Sequence, residues 1–502
     1  PSATGGSSGA RPPLPSVHRN HILPGGGVGA MRPLLILALL AAPRCAAALR
    51  RSPEPLAAAG AEPPVADGGK RQVLYNYKDV QYYGDITMGS QVITGLLDTG
   101  SFELVVFDSS CVACGTAGKY SKQKSKSFRE GKLTDYLRYG SGSVNVEEAF
   151  EMVAIGPYPA VELSFWDGVD AAMPVLRKAA FNSIIGVGPP ETPGADAWAI
   201  VQDDVDSVRA DLDAGEFPRK YTEQGIQQDT ALATEQSLQR TIARANNVNC
   251  FSVCLGRVPL SNGYFTWNDT SHLDAPSLFS FVKVLGKHSW TVNMTSMGVS
   301  LGGGEPGLVG CSDGCGAIVD SGTSLLLMPF SAIYALRDQL QSMKAKCDDL
   351  RTLPRLTFKL DGKEFSLPPD AYITRLTSPA ASAVARGSKN YHSEIVRLDF
   401  GGGDCQLAVM GSRTETRWGP LWILGMPFFR KYFTTFNIGR DREERGLFVT
   451  HASSNCTPAE PGSDLVRDSG YEQLELRELS SEDIFIPKIV HRAFTESFLK
   501  DL

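Results

Sequence analysis

The sequence is poor in three features that would point to common classes of protein. It has 7 histidines among 502 residues, and no histidine pair stands at the ligand spacing of a metal-dependent hydrolase. Lysine and arginine together number 49 against 55 acidic residues, a formal net charge of −6, so no basic field attracts nucleic acid. Beyond the N-terminal region, no apolar run reaches the roughly 18 residues of a transmembrane helix. We therefore expect no metal site, no nucleic-acid partner and no transmembrane anchor.

The N-terminal region has the layout of a secretory leader. A positive charge follows Met31, an apolar stretch comes next and small residues end it, so we predict a signal peptide over residues 31–48. Residues 1–30 are rich in glycine, proline and serine, and we interpret them as non-native or untranslated leader sequence. Residues 49–73 are predicted to be a short, disordered, pro-like segment. The expected location is the secretory pathway, with the protein either secreted or in a vacuolar or lysosomal lumen.

Most of the remaining chain predicts strands. From residue 74 onward, β-branched and aromatic runs are punctuated by glycine and proline, which is typical of a β-rich fold. Residues 189–247 differ, because their composition favours helices, and we predict a helical excursion there. Residues 453–502 are acidic and polar for the most part, and we interpret them as a C-terminal tail appended to the fold.

The tripeptide Asp-[Ser/Thr]-Gly occurs three times, beginning at Asp98, Asp320 and Asp468. Asp468 lies in the acidic tail without an apolar strand on either side, so we interpret it as a chance copy. The other two read GLLDTGSFELVVF and GAIVDSGTSLLLMPF, each with an apolar strand before and after the triplet. Each alone could be a strand-to-strand turn, since Asp and Gly are good turn formers. Together, 222 residues apart, they suit one copy in each of two similar lobes.

Six ordered motifs carry a resemblance to the pepsin family of aspartic endopeptidases, over roughly residues 75–452. Besides the two triplets, YYGDITMG resembles the strand before the first catalytic loop, and RYGSGSV resembles the flap hairpin. FNSIIGVG and WILGMPFFRKYFTTFN resemble the two hydrophobic-hydrophobic-Gly segments behind the loops. The second triplet forms a single motif with the small Cys-bounded loop GCSDGCG that precedes it.

The resemblance implies an all-β, mainly antiparallel, bilobed fold with pseudo-twofold symmetry and a helical insertion in the N-terminal lobe. It places the N-terminal lobe at 74–255, with the insertion at 189–247, and the C-terminal lobe at 256–452. With two triplets in one chain, a monomer suffices. No cofactor is expected, and the implied partner is a peptide or protein substrate.

The resemblance also assigns roles. Asp98 and Asp320 would form a catalytic dyad in which two close carboxyls share one proton, as the standard description of aspartic proteases has it. One member then acts as base on a water and the other as acid on the scissile carbonyl. The residues that would support the dyad are Thr99, Gly100, Ser101, Ser321, Gly322 and Thr323. The residues of the implied substrate-binding flap are Tyr139, Gly140 and Ser141.

Three departures from the family pattern bear on function. Val105 stands where members usually have a tryptophan that hydrogen-bonds the flap tyrosine, so the flap is expected to be looser or differently supported. Met426 replaces an aspartate found in many acid-active members, which argues against a strongly acidic pH optimum. The segment before the first strand is too short for the usual inhibitory prosegment.

Cysteine spacing and sequons suggest an oxidising compartment. Cys311 and Cys315 share one loop and are predicted to pair, and by resemblance Cys347 pairs with Cys405 and Cys111 with Cys114. Cys250 and Cys254 lie four residues apart on one strand face, so either could bond Cys456, leaving an odd thiol. Glycosylation candidates are Asn268, Asn293 and Asn455.

A second class of function stays open at this point. The same scaffold could be a catalytically silent binding or inhibitor protein, with Val105 and the 189–247 insertion obstructing the cleft. The usual mark of such proteins is loss of a dyad residue or its glycine, and this chain keeps both triplets complete. We therefore favour the aspartic endopeptidase.

Overall fold

The computed structural model describes residues 70–190, 192–215, 223–301, 306–344, 349–376, 393–396, 406–460, 476–480 and 482–486. The first strands are β1 Lys70–Tyr77, β2 Gln81–Met88, β3 Gln91–Asp98, β4 Leu104–Phe107, β5 Arg129–Tyr139, β6 Gly142–Ile155, β7 Val161–Ala172, β8 Ser183–Gly186, β9 Cys250–Cys254, β10 Gly263–Trp267 and β11 Ser280–Lys283. The next are β12 Thr291–Ser300, β13 Gly307–Gly310, β14 Cys315–Val319, β15 Leu326–Pro329, β16 Arg355–Leu360, β17 Lys363–Leu367, β18 Ile373–Leu376, β19 Ser393–Val396, β20 Gln406–Leu407, β21 Val409–Ser412, β22 Glu415–Thr416, β23 Gly419–Leu424, β24 Tyr432–Asn437, β25 Gly446–Ala452, β26 Pro458–Ala459 and β27 Arg477–Leu479. The α-helices are α1 Thr192–Asp213, α2 Glu223–Leu238, α3 Ile242–Ala245, α4 Ser271–Asp274, α5 Phe330–Ser342 and α6 Met426–Lys431.

These strands form three sheets. The first has 14 strands in the order β11-β25-β24-β9-β10-β1-β2-β3-β8-β4-β7-β6-β5, with β26 beside β25. The second has 10 strands in the order β17-β16-β12-β14-β23-β15-β21-β19, with β13 beside β12 and β22 beside β23. The third is β20-β18-β27. The predicted all-β, mainly antiparallel and bilobed fold is confirmed, and β24 and β25 return from the second lobe to pair within the first sheet.

The same strand pattern occurs once in each lobe. In the first lobe β3 runs parallel to β8, β8 antiparallel to β4, and β4 parallel to β7. In the second, β14 runs parallel to β23, β23 antiparallel to β15, and β15 parallel to β21. Apolar runs form these strands because both sheet faces are covered, and β4, β8, β14 and β15 are buried along their whole lengths. The repeat gives the fold its internal symmetry.

The predicted helical insertion is present between β8 and β9 as α1, α2 and α3. Helices α1 and α2 pack through a small apolar cluster that includes Ala197, Val201 and Ala233, and Trp198 Nε1 donates to Ser237 Oγ at 3.1 Å. Their other faces are largely polar, as expected of surface helices. No α-helix among the described residues is long and apolar enough to cross a membrane.

Three disulfides join described cysteines. Cys111–Cys114 and Cys311–Cys315 form as predicted. Cys456 bonds Cys254 across 202 residues of sequence, which selects one of the two alternatives left by the sequence. The expected odd thiol is not found among the described cysteines, because Cys250 is also disulfide-bonded. The predicted Cys347–Cys405 pair lies outside the described residues.

The C-terminal tail differs from the appendage that its composition suggests. Strand β27 pairs in parallel with β18, joining Thr374 to Arg477 and Leu376 to Leu479. Farther along the tail, Ile484, Phe485 and Ile486 are buried. The physical reason is the apolar tripeptide Ile-Phe-Ile, whose burial outweighs the polarity of the flanking residues. The predicted signal peptide and the residues before it lie outside the described residues.

The three glycosylation candidates differ in exposure. Asn455 is exposed, whereas Asn268 and Asn293 are partly buried. The Asn268 Nδ2 atom donates to the Tyr158 hydroxyl at 2.9 Å, so the nitrogen that would carry a glycan is engaged within the protein. Glycosylation stays a prediction, and Asn455 is the sequon whose side chain is most accessible.

Candidate active site

The Asp98 side chain stands at the end of β3, where the chain turns into the first loop. Because β3 and β8 are parallel with Asp98 opposite Gly186, the loop lies against β8. Ser101 Oγ donates to Asp98 Oδ2 at 2.6 Å and the Gly100 amide donates to Asp98 Oδ1 at 2.9 Å. A hydroxyl therefore holds one oxygen of this carboxyl and an amide holds the other, and the side chain is fully buried.

The second loop repeats this arrangement around Asp320, just after β14. Thr323 Oγ1 donates to Asp320 Oδ2 at 2.5 Å, and the Gly322 amide donates to Asp320 Oδ1 at 2.8 Å. Asp320 is also fully buried, and its carboxyl hydrogen-bonds that of Asp98. The structure thus brings together the two aspartates whose flanks matched, while Asp468 lies outside the described residues.

The glycines of the two triplets are required by the closeness of the carboxyls. A Cβ atom on Gly100 would lie 2.6 Å from Asp320 Oδ2, and one on Gly322 would lie 2.1 Å from Asp98 Oδ1. Both distances are shorter than any non-bonded contact that a Cβ atom makes. Each glycine therefore leaves room for the opposite carboxyl, which explains why both triplets end in glycine.

Thr99 and Ser321 connect the two loops through reciprocal hydrogen bonds. Thr99 Oγ1 donates to the Val319 carbonyl at 3.0 Å and accepts from the Ser321 amide at 2.9 Å. Ser321 Oγ donates to the Leu97 carbonyl at 2.7 Å and accepts from the Thr99 amide at 3.2 Å. Four buried hydrogen bonds fix one loop to the other, so the spacing of the carboxyls does not depend on the lobes alone.

The environment makes the two carboxyls unequal. Burial raises the pKa of Asp98, and the charge of Asp320 raises it further, well above its usual range. Burial also raises the pKa of Asp320, but hydrogen bonds donated by Asp98, Thr323 and the Gly322 and Gly100 amides counteract this. The two groups titrate as a pair, and two buried carboxyls this close favour a single shared proton.

A hairpin formed by β5 and β6 carries the residues that the resemblance assigns to the flap. Tyr139 pairs with Gly142, so Gly140 and Ser141 form a two-residue turn at its tip. Tyr139 is buried in an apolar cluster with Val105 and Trp166, and Trp166 stands opposite Val105 in the β4–β7 register. An indole therefore lies in the cluster even though Val105 replaces the usual tryptophan, which favours the expectation of a differently supported flap.

Comparison with known proteins identifies the family to which this chain belongs. The family profile described as "Eukaryotic aspartyl protease" matches residues 81–207 and 239–445. The chain belongs to this family. It is similar to cathepsin D of Homo sapiens, at 27% identity over 397 residues covering 76% of this chain and 84% of the relative. It is also similar to pepsin II-2/3 of Oryctolagus cuniculus, at 26% over 387 residues (74% and 82%), and to renin of Canis lupus familiaris, at 26% over 384 residues (74% and 80%).

The aspartyl protease fold also positions residues that the sequence did not single out. Ser324 follows Thr323 in the second loop, and its Oγ donates to the Val80 carbonyl at 2.6 Å. Phe485 packs against Tyr139 and Phe181, with ring centroids 5.9 and 5.8 Å apart. The signal for Phe485 was its place in an apolar tripeptide within a polar tail. Sequence alone does not show that this tripeptide reaches the flap.

No group of three or more His, Cys, Asp or Glu residues that could hold a metal ion occurs within the described ranges. Of the predicted site residues, the dyad candidates and their supporting residues lie together in the two loops, and the residues predicted for the flap lie at the β5–β6 turn. The predicted disulfide cysteines Cys111, Cys114, Cys311 and Cys315 brace loops in this aspartyl protease fold, the second pair bridging the loop just before β14.

Ser321→Ala tests the hydrogen bonds between the loops. The change would leave the Leu97 carbonyl and the Thr99 amide buried without their Ser321 partner, which costs about 1–3 kcal/mol. We expect the urea midpoint to fall accordingly at an unchanged m-value. The matched control is Ser312→Ala, because Ser312 is exposed and its hydroxyl donates to the side chain of its exposed neighbour Asp313. Equal midpoints for the two variants would contradict the prediction.

Proposed function

We propose that this chain is an aspartic endopeptidase in which Asp98 and Asp320 activate a water molecule. The observation that carries the proposal is the pair of buried, hydrogen-bonded carboxyls with matching donors from two loops. A pair that shares one proton offers a base and an acid at the same place, which general acid–base hydrolysis requires. Membership of the aspartyl protease family supports the same reaction.

The roles follow from the inequality of the two carboxyls. Ionised Asp320 takes a proton from water as the water oxygen bonds the scissile carbonyl carbon. Asp98 gives its proton to the carbonyl oxygen, so a neutral tetrahedral diol forms. Collapse of the diol breaks the C–N bond: one diol hydroxyl returns its proton to Asp98 while the nitrogen takes the proton held by Asp320. A carboxylic acid and an amine leave, and the pair again holds one proton. These steps account for every proton and require neither a covalent intermediate nor a metal.

The substrate that suits this site is an extended peptide. The flap turn already pairs with extended backbone in the structure, since the Ser141 amide donates to the Ile486 carbonyl at 3.2 Å, and such pairing recognises main chain rather than sequence. The disulfides are consistent with an oxidising compartment, which supports action in the secretory pathway, outside the cell or in a vacuolar or lysosomal lumen. Met426, buried beside Thr323 where many relatives of the family carry aspartate, supports a less acidic optimum.

The test is cleavage of a mixed peptide library by the purified chain between about pH 3 and 7, where a coupled carboxylate pair gains and loses its working charge state. The reaction is run in ¹⁸O-labelled water, with and without a statine-type inhibitor, beside Asp98→Asn prepared identically. We expect inhibitable cleavage that places one ¹⁸O atom in each new carboxyl and is missing from the variant. Equal cleavage by the variant would refute the dyad.

A further inference from the structure

The tail segment of residues 482–486 lies between the flap and the second loop. Its three apolar side chains alternate between the lobes, as they do along an extended strand. Phe485 belongs to the apolar cluster of the first lobe that contains Tyr139 and Phe181. Ile484 and Ile486 belong to the cluster of the second lobe that contains Ile318 and Leu325. The segment therefore contacts both lobes at once.

The backbone of the segment is paired on both sides. The Phe485 amide donates to Ser324 Oγ at 2.9 Å and the Ser324 amide donates to the Phe485 carbonyl at 3.3 Å. The Ile486 amide donates to Ser141 Oγ at 2.7 Å and the Ser141 amide donates to the Ile486 carbonyl at 3.2 Å. Two successive residues thus exchange hydrogen bonds with the second loop and then with the flap tip. This is how a short peptide is held by main-chain recognition.

The fit at the flap is close. A Cβ atom on Gly140 would lie 2.1 Å from Ile486 Cγ2, so the glycine of the turn leaves room for this side chain. On the other side of the segment, Lys78 Nζ lies 2.8 Å from Asp483 Oδ2, and Gln81 Nε2 donates to the Asp483 carbonyl at 2.8 Å. Contacts with the flap, both lobes and β2 place the segment firmly in the cleft.

We propose that the Ile484–Ile486 segment is a built-in competitor that occupies the cleft and must leave before a substrate binds. The inference rests on the proposed function, because the flap and second loop that hold the segment are the elements that would hold a substrate. The ligand that this part of the cleft accepts is an extended peptide with an aromatic side chain directed to the first lobe and branched aliphatic side chains directed to the second.

Covalent attachment makes such a competitor effective at any protein concentration. A tethered segment acts at an effective concentration in the millimolar range for a flexible link of modest length. The apparent affinity for substrate is then reduced by the fraction of molecules in which the cleft is open. A change that releases the segment therefore raises kcat/KM for an added peptide, and the same peptide segment supplied separately restores inhibition.

Phe485→Asp is the variant that tests the proposal, because it places a charge in the apolar cluster of the first lobe. Ile484→Asp places a charge in the apolar cluster of the second lobe. It provides an independent test if Phe485→Asp does not fold. We expect both full-length variants to cleave an added peptide with a kcat/KM about tenfold or more above the parent chain. The control is Leu308→Asp, since Leu308 is an apolar residue that is 53% exposed on β13, and it should match the parent.

A binding measurement separates this proposal from the proposed function. A fluorescent peptide with the sequence of residues 482–486 is expected to bind Phe485→Asp more tightly than the parent chain, and its counterpart with Asp in place of Phe is expected to bind neither. Peptide binding without cleavage would support the competitor role of the segment and refute the proposed protease activity. Cleavage at equal rates by the parent and the variants, with no difference in peptide binding, would refute the competitor role of the segment and support the proposed protease activity.

Discussion

Asp98→Asn is expected to lower kcat/KM for a cleaved peptide by about a thousandfold or more, because it removes a general acid that contributes up to about 10⁴. The variant should nevertheless fold. The single oxygen of the asparagine amide can still accept from the Gly100 amide, which donates to Asp98 Oδ1 in the parent, and its NH2 group can donate to Ser101 Oγ, because a hydroxyl both donates and accepts. The loss is therefore expected in kcat rather than in folding yield.

The same variant should melt at a higher temperature than the parent as the pH rises. Burial and the charge of Asp320 raise the pKa of Asp98 in the folded state, whereas the unfolded chain has the ordinary value near 4. A group with a raised folded pKa stabilises the fold below its unfolded pKa, and this contribution is lost as the pH rises through the folded pKa. Asparagine does not titrate, so the advantage of the variant grows above about pH 4.

Thermal scans at intervals between about pH 4 and 7 measure this difference. Asp468→Asn is the matched control, because it makes the same change in the third Asp-Ser-Gly triplet of the chain, and it should alter neither activity nor melting. A constant offset between the parent and Asp98→Asn across the pH range would contradict the raised pKa. Retained cleavage would contradict the role of Asp98.

The parts of the site that sequence predicted are those encoded in short segments. An apolar strand, an acidic turn residue and a glycine specify each loop locally, so Asp98 and Asp320 could be found from their flanks. The hydrogen bonds of Thr99 and Ser321 across the loops were implied only through the family resemblance. They depend on two segments 222 residues apart meeting about a symmetry axis, which no local pattern specifies.

The choice between Cys250 and Cys254 shows what sequence leaves open. Both lie on β9, which pairs with β24 so that Asn437 stands opposite Cys250. Asn437 also stands opposite Gly446, the first residue of β25. Cys250 therefore lies near the start of β25, far from a residue that follows its end. Cys456 comes after β25 ends and therefore reaches Cys254. Strand register, unknown from sequence, decides the pair.

The tail shows the larger gap between sequence and structure. Its composition is acidic, and a stretch of three apolar residues is too short to predict a strand or a buried segment. Its position depends on partners far away in sequence: Ser141 lies 345 residues from Ile486 and Ser324 lies 161 residues from Phe485. Contacts at such separations arise from the folded lobes rather than from local preference.

Arg477→Met is expected to speed hydrogen exchange at the Phe485 and Ile486 amides by about a hundredfold. Arg477 begins β27 and is 3% exposed, with Nη1 3.0 Å from Asp370 Oδ2 and Nε 3.8 Å from Asp79 Oδ2. Removing one partner from a buried ion pair costs about 3–5 kcal/mol, because the remaining charge loses its compensation. When the tail detaches, water can hydrate these carboxylates. The unpaired carboxylates destabilise only the docked tail, so the variant lowers the free energy of tail opening. A decrease of about 3 kcal/mol corresponds to exchange about a hundredfold faster.

Arg375→Met is the matched control for Arg477→Met. Arg375 lies on β18 and pairs with Glu478 of β27 at 2.9 Å, but both side chains are exposed, and an exposed ion pair contributes about 0–1 kcal/mol. Exchange should therefore change less than about fivefold. If Arg477→Met accelerated exchange equally in β3 and β14, the variant would have loosened the whole fold, and the coupling of Arg477 to the tail would be refuted. If exchange rises only in the tail and cleavage rises with it, one buried arginine outside the cleft controls access to the cleft.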